Sequence, residues 1–365
     1  MKKRVLITGY TKNFGGIERT ISNFYSSMMG DYVFDFLCSN NNKPIKLDSK
    51  FTSNGSEIYY CNTSIRTMMK EAKIFFKNKK NYYDAIIVNF GDLTDAFLLK
   101  FAKKAEIKYR IAYAHMGIYS SKNVLKKMIN RFCKKLIHTY ATLLFSYSES
   151  ATKLTFLKKD QPNAIIKQPI LVEPFIFNER ERNRLRKLYQ IKEEDIVLGC
   201  VGSISPNKNQ VSLVETLKLL KEKISSNIIL FVIGDVVDKE YGEMFNKSIK
   251  NCRELRVVHM GNQASIGAFY SMFDIYISSS KKESFGLTIL ESYISGLPII
   301  VNKHSIPYDL LQKTEATEVD IFDEDEMLNA IHKCINNGVS NKRNLHSNKS
   351  IEQYKDSILL NFEQK

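Results

Sequence analysis

Ser279-Ser280-Lys281-Lys282-Glu283-Ser284-Phe285-Gly286-Leu287-Thr288-Ile289-Leu290-Glu291-Ser292 is the stretch on which the reading of this chain turns. The apolar run Phe273-Asp274-Ile275-Tyr276-Ile277 precedes it and reads as a buried strand. A short helical pattern follows and stops at Gly296, with Pro298 just beyond. Two glutamates eight residues apart therefore flank a strand-to-helix turn. The spacing puts Glu283 in the loop and Glu291 about one turn into the helix, near its positive end. The backbone N–H groups of Phe285, Gly286 and Leu287 open that helix and are able to hold an anion.

Outward from this stretch, strands and helices alternate. In the first half, residues 5–7, 34–37, 58–60, 85–88, 110–113 and 142–146 read as strands. Helical patterns cover about 17–29, 64–77, 93–104 and 122–138. In the second half, residues 196–202, 228–234, 257–261, 273–277 and 297–301 read as strands. Helices are expected near 210–224, after Leu287, and at 324–336 and 351–362. The alternation predicts an α/β fold of two Rossmann-like, doubly wound domains facing across a cleft. Pro169, Pro174 and the run Asn178-Glu179-Arg180-Glu181-Arg182 mark the junction. The expected domains are 1–170 and 171–350, with a C-terminal helix at 351–365 packing back on the first. In open sheets of this kind ligands bind beyond the carboxyl ends of strands, where the motifs of the second half fall.

Composition narrows the class. The chain of 365 residues, 44% apolar and 25% charged, is suited to two globular domains rather than to disorder. No apolar run approaches the roughly 18 residues of a membrane span. The apolar part of residues 1–9 is too short for a signal-peptide core, so this segment reads as a first strand. Six scattered cysteines with no Cys-x-x-Cys pair argue against a zinc site or disulfide framework and fit a reducing cytosol. A net charge of +15 admits nucleic acid, an anionic membrane surface or a phosphorylated substrate as partner. The helix at 122–138 carries Lys122, Lys126, Lys127, Arg131, Lys134 and Lys135. Val124, Leu125, Met128, Ile129, Phe132, Leu136 and Ile137 make its apolar stripe. Such a helix either packs on the core with a solvated basic face or lies on anionic lipid. A second basic-apolar stretch at 70–80 tilts the reading toward a membrane surface.

Three further motifs follow strands. Val201-Gly202-Ser203-Ile204-Ser205-Pro206-Asn207-Lys208-Asn209 is a glycine turn with a lysine before a helix. Lys208 there either reaches a diphosphate or is an exposed loop lysine. The spacing is not that of a P-loop. Asn13-Phe14-Gly15-Gly16-Ile17-Glu18-Arg19 allows close approach of backbone to a ligand, or is simply a tight turn. His115 follows the strand at 110–113 and is either a ligand contact or a satisfied structural residue. No cluster has metal-ligand spacing and no nucleophile elbow is present. Carboxylates for sugar hydroxyls beside amides and a lysine for phosphate suit a nucleotide-sugar.

Together these motifs resemble the retaining glycosyltransferases of GT-B architecture, family 4, of bacterial polysaccharide and glycolipid assembly. Gly15-Gly16-Ile17-Glu18-Arg19, the segment from Arg110 to His115, the turn from Gly202 to Lys208, Gly261-Asn262-Gln263 and Glu283 to Glu291 carry the resemblance. It implies that Glu291 binds the donor ribose and that Glu283 contacts the transferred sugar. It further implies that Ser284, Phe285, Gly286, Leu287 and Thr288 surround the diphosphate and that Lys208 neutralises it. Gly15, Gly16, Gly202, Ser203 and Asn262 would line the donor, and His115 would sit at the reaction centre. The implied donor is UDP-hexose or UDP-N-acetylhexosamine, and the acceptor a lipid-linked or growing saccharide in cell-surface polysaccharide synthesis. No metal and no nucleic acid are expected, and the enzyme would work in the cytoplasm at the inner membrane face. Two departures stand out: Ser203 replaces the family's arginine, and Lys167-Gln168-Pro169-Ile170 replaces its usual linker. Ser203 also motivates an alternative, a catalytically silent GT-B partner of a polysaccharide-assembly enzyme.

Overall fold

The computed structural model describes residues 3–11, 18, 21, 32–39, 52–53, 55–62, 64–91, 93–115, 124–165, 172–224, 226–252, 255–263, 265–283 and 286–336. Gly15, Gly16, Lys122, Ser284, Phe285 and the expected helix at 351–365 lie outside these residues, as does the side chain of Lys126. The chain divides into two compact units, one built on residues 1–169 and the other on residues 170–356.

In the first unit the described residues form strands β1 (Lys3–Thr11), β2 (Tyr32–Ser39), β3 (Ile58–Cys61), β4 (Ala85–Phe90), β5 (Tyr109–Ala114), β6 (Leu143–Ser146) and β7 (Ala164–Ile165). They pair in parallel in the order β3-β2-β1-β4-β5-β6-β7. In the second unit β8 (Ile196–Val201), β9 (Ile228–Ile233), β10 (Arg256–His259), β11 (Ile275–Ser278), β12 (Ile299–Asn302) and β13 (Thr317–Val319) pair in parallel in the order β10-β9-β8-β11-β12-β13. Both orders run outward from the first strand and then reverse. The reversal falls between β1 and β4 in one sheet and between β8 and β11 in the other, where crossovers leave a crevice at the strand ends.

The apolar runs follow from burial on both faces. Leu6 packs with Ile86 and Val88 in one layer, while Val5 and Ile7 pack with Phe34 and Phe36 in the other. In β8, Leu198 and Cys200 face one layer and Val197 and Val201 the opposite one. A buried carboxylate, Asp35, interrupts β2 and is compensated in place. It accepts from Arg4 Nη1 at 2.8 Å, Glu57 N at 2.9 Å and Tyr83 Oη at 3.0 Å.

The run Asn178 to Arg182, read above as a junction, belongs to the helix Glu179–Leu188. Asn178 caps it by accepting from Glu181 N at 3.1 Å, and acids in the first turn with bases in the last complement its dipole. The basic helix is Val124–Tyr140. Only part of its expected apolar stripe turns inward: Leu136 and Ile137 are buried, whereas Val124, Met128, Ile129 and Phe132 are exposed. Lys134 also departs from the outward set. Its Nζ donates to the carbonyls of Lys153 at 3.0 Å and Phe156 at 3.1 Å, closing the end of the helix Glu149–Thr155.

Candidate active site

Three loops interlock at the reversal of the second sheet. The loops after β8 and β11 meet through Lys208 and Glu283, whose Nζ and Oε1 are 2.5 Å apart. Both side chains are largely sheltered, 22% and 11% exposed, so the pair is screened less than a surface pair. Ser280 Oγ donates to the same carboxylate oxygen at 2.6 Å, and Ser279 Oγ donates to the Lys208 carbonyl at 2.7 Å. Asn207 stitches the two loops in both directions. Its carbonyl accepts from Lys281 N at 2.7 Å and its Nδ2 donates to the Lys282 carbonyl at 2.9 Å. The loop after β12 adds the Ser305 carbonyl, which accepts from Glu283 N at 2.6 Å.

Local geometry explains the residue types. Gly202 has φ +153°, and a Cβ there would come within 3.2 Å of Lys208 Cε, so glycine lets the lysine stem lie across the turn. Ser203 points no cation at the site; its carbonyl accepts from buried Gln210 Nε2 at 3.0 Å, which closes the turn. Gly286 opens the helix Leu287–Ile294 in the left-handed region at φ 61°, where a Cβ would meet Leu310 Cδ2 at 2.3 Å. Leu287 and Thr288 follow as the first two residues of that helix, both partly buried. Glu291 stands one turn in and is buried, and Tyr270 Oη donates to its Oε2 at 2.7 Å. The phenol thus holds the carboxylate in place midway along its helix.

Asn262 and His115 are positioned by other elements. Asn262 is exposed in the turn after β10, where its N–H donates to Asp235 Oδ1 at 2.9 Å. His115 belongs to the first unit, directly after β5. It is buried, its Nε2 lies 2.8 Å from Asn89 Oδ1, and its ring centre is 4.1 Å from that of Tyr113. Burial pushes its pKa down from 6.5 to about 3, so the ring is neutral at ordinary pH.

Sequence reading missed Tyr270, Asn207, Ser279 and Ser280 as parts of the site. The only local signal was the triple serine Ser278-Ser279-Ser280 at a strand end, all three buried. Tyr270 sits 21 residues before Glu291 and meets it only through folding.

Residues 181–353 match the family described as Glycosyl transferases group 1. EpsF of Bacillus subtilis (strain 168) is 23% identical to this chain over 314 residues, 82% of this chain and 79% of its own length. The O-antigen biosynthesis glycosyltransferase WclY of Escherichia coli is 24% identical over 272 residues, 70% of this chain and 71% of its own. The crystal structure of HepE of Anabaena with UDP and glucose superposes with a TM-score of 0.77 at 15% identity, covering 99% of this chain and 97% of that one. The second unit thus carries a glycosyl transferases group 1 domain, the fold is GT-B, and the chain is a glycosyltransferase.

Proposed function

We propose that the enzyme retains anomeric configuration, as family 4 enzymes do. It would move a hexose or N-acetylhexosamine from UDP to a lipid-linked or growing saccharide in cell-surface polysaccharide synthesis. The observation that carries the reading is the Lys208–Glu283 pair at the sheet reversal, in the loop that leads into the helix carrying buried Glu291. Two relatives lend support: WclY is named for O-antigen biosynthesis, and the HepE crystals contain UDP and glucose.

In this reading the second unit takes the nucleotide-sugar and the first takes the acceptor. Glu291, oriented by Tyr270, receives the ribose hydroxyls. Amides at Gly286 and Leu287 and the Lys208 ammonium receive the diphosphate. Glu283 exchanges its partner Lys208 for a hydroxyl of the transferred sugar. The bond from C1 to the diphosphate oxygen breaks, and the acceptor oxygen bonds C1 on the same face. The acceptor proton leaves on the departing phosphate, whose growing charge Lys208 stabilises. No metal is needed for this, because a lysine and helix amides supply the positive charge. His115 binds a sugar hydroxyl.

Glu291→Ala is expected to abolish transfer and weaken UDP binding by about 10²-fold, since a buried carboxylate contact to hydroxyls is lost. Calorimetry with UDP and turnover assays over a panel of nucleotide-sugars check this. Unchanged turnover would reject the site.

We also propose that the helix Val124–Tyr140 rests on anionic lipid. Val124, Met128 and Phe132 are 69%, 66% and 53% exposed. With the exposed Lys127, Arg131 and Lys135 they fall within roughly 140° of the helix surface at 100° per residue. Buried Cys133, Leu136 and Ile137 occupy the opposite side. Apolar side chains flanked by cations fit the boundary between headgroups and acyl chains. Changing Lys127, Arg131 and Lys135 together to glutamate is expected to weaken binding to phosphatidylserine-containing vesicles by about 10²-fold or more. Vesicle flotation measures it, and undiminished binding would remove the membrane from the proposal.

A further inference from the structure

We propose that Asn89 is a positioning residue that fixes the His115 ring in the tautomer with its proton on Nε2, so that Nδ1 acts only as a hydrogen-bond acceptor. Asn89 is the fifth residue of β4, and His115 directly follows the neighbouring strand β5. Both stand at carboxyl ends beside the reversal between β1 and β4.

The assignment follows from a chain of donors and acceptors. Asn89 Nδ2 donates to the Thr8 carbonyl at 2.8 Å. That carbonyl can only accept, so turning the amide over would set oxygen against oxygen. The amide oxygen is thereby left facing His115 Nε2 at 2.8 Å. An amide oxygen can only accept, so Nε2 carries the hydrogen. A neutral imidazole has one N–H, which leaves the lone pair on Nδ1. The charged ring, with hydrogens on both nitrogens, is disfavoured because His115 is buried and its pKa is pushed down to about 3. Thr8 and Asn89 lie on adjacent strands and His115 directly follows the next one, so Thr8 fixes Asn89 and Asn89 fixes His115 in both orientation and proton position.

The inference deepens the proposed function and rests on its assignment of His115 to a sugar hydroxyl. A fixed lone pair takes an O–H; it offers no charge to a phosphate. His115 would then select a sugar by the presence of a hydroxyl, and Lys208 would keep the work of neutralising the diphosphate.

Nitrogen-15 NMR of the full-length chain labelled at histidine tests the tautomer without any substrate. The chain has six histidines, and the His115 signals are those lost in His115→Gln. A ring protonated on Nε2 alone from about pH 8 down to about pH 5 supports the proposal. A proton on Nδ1, or titration within that range, overturns it. In Asn89→Asp the carboxylate accepts the same hydrogen but favours the charged ring, so the midpoint should climb into the range of about pH 5–8. An unmoved midpoint in that folded variant overturns the role of Asn89; if the variant does not fold, the wild-type spectrum decides. The transfer assay adds a second readout. The variant's kcat/KM should fall on the acid side of its new midpoint and recover above it, with no such limb in the wild type. A variant with a flat profile overturns the acceptor role of Nδ1. Absence of any transferase activity would instead count against the proposed function and leave the spectroscopic result standing.

Discussion

If Lys208 neutralises the donor diphosphate as proposed, Lys208→Ala is expected to lower kcat about 10²- to 10³-fold for whichever nucleotide-sugar the wild type turns over, with a smaller effect on KM. The reason is where charge develops. The bound donor already carries a diphosphate, but the departing group gains negative charge only as the C1–O bond breaks. A cation fixed beside it gains more in the transition state than in the ground state. Lys208 is fixed: Ser279 holds its carbonyl at 2.7 Å, its stem crosses Gly202, and Glu283 holds its ammonium at 2.5 Å. The partner variant discriminates the two roles. Glu283→Gln removes the charge that competes with a diphosphate for Lys208, so UDP binding is expected to hold or tighten. Transfer falls all the same, because the carboxylate proposed to receive the sugar is gone. Calorimetry with UDP and initial rates on one preparation separate these effects. If Lys208→Ala kept its kcat, or if Glu283→Gln lost UDP binding and transfer together, the division of labour between the two residues would be wrong.

Much of this site could be read in the sequence because its parts are local. Glu283, Gly286 and Glu291 lie on one strand–turn–helix unit, and the turn chemistry of Gly286 fixes the start of the helix. The buried strands were equally legible, since both faces of β8 and β9 are covered and no polar residue breaks their runs. What was not legible depends on pairing between distant segments. Lys208 and Glu283 are 75 residues apart, and nothing in either segment states that the two loops share a sheet reversal. Asn89 looks like an ordinary polar residue at a strand end until β4 and β5 are paired, when it meets His115. The helix Val124–Tyr140 was misread in its apolar stripe because period alone does not say which arc of a helix meets the core. The helix Glu179–Leu188 was hidden by its strong charge, which suggested a solvated junction. Two of its four arginines, Arg182 and Arg186, in fact turn toward Asp274 at the sheet, while Arg180 and Arg184 stay exposed.

That inward turn gives the largest expected effect on stability. Arg182 and Arg186, four apart on one helix face, converge on Asp274 just before β11. Arg182 Nη2 lies 2.6 Å from Oδ1 and Arg186 Nη1 3.1 Å from Oδ2. The same Oδ2 accepts from Val197 N at 2.7 Å, and the Asp274 N–H donates to the Val197 carbonyl at 2.7 Å. Asp274 and Arg186 are 5% and 8% exposed, so little solvent can replace either partner. Asp274→Ala would remove the charge partner of buried Arg186 and the acceptor of its Nη1 and of the Val197 N–H, while Arg186 Nη2 keeps the carbonyls of Lys192 and Asp195. The expected cost is about 3–5 kcal/mol, on the order of 10 °C in the melting temperature of this unit. Asp274→Asn should fall between wild type and alanine, because an amide oxygen still accepts from one of the three donors but carries no charge. The cluster sits at the start of β8 and β11, and Lys208 and Glu283 follow their ends. Molecules of Asp274→Ala that remain folded should therefore turn over donor at the wild-type rate. Thermal unfolding followed by circular dichroism, with activity normalised to the folded fraction, measures both quantities. A melting temperature within a degree or two of wild type would show that the two arginines are satisfied without Asp274. A fall in turnover per folded molecule would show that the two ends of these strands are coupled.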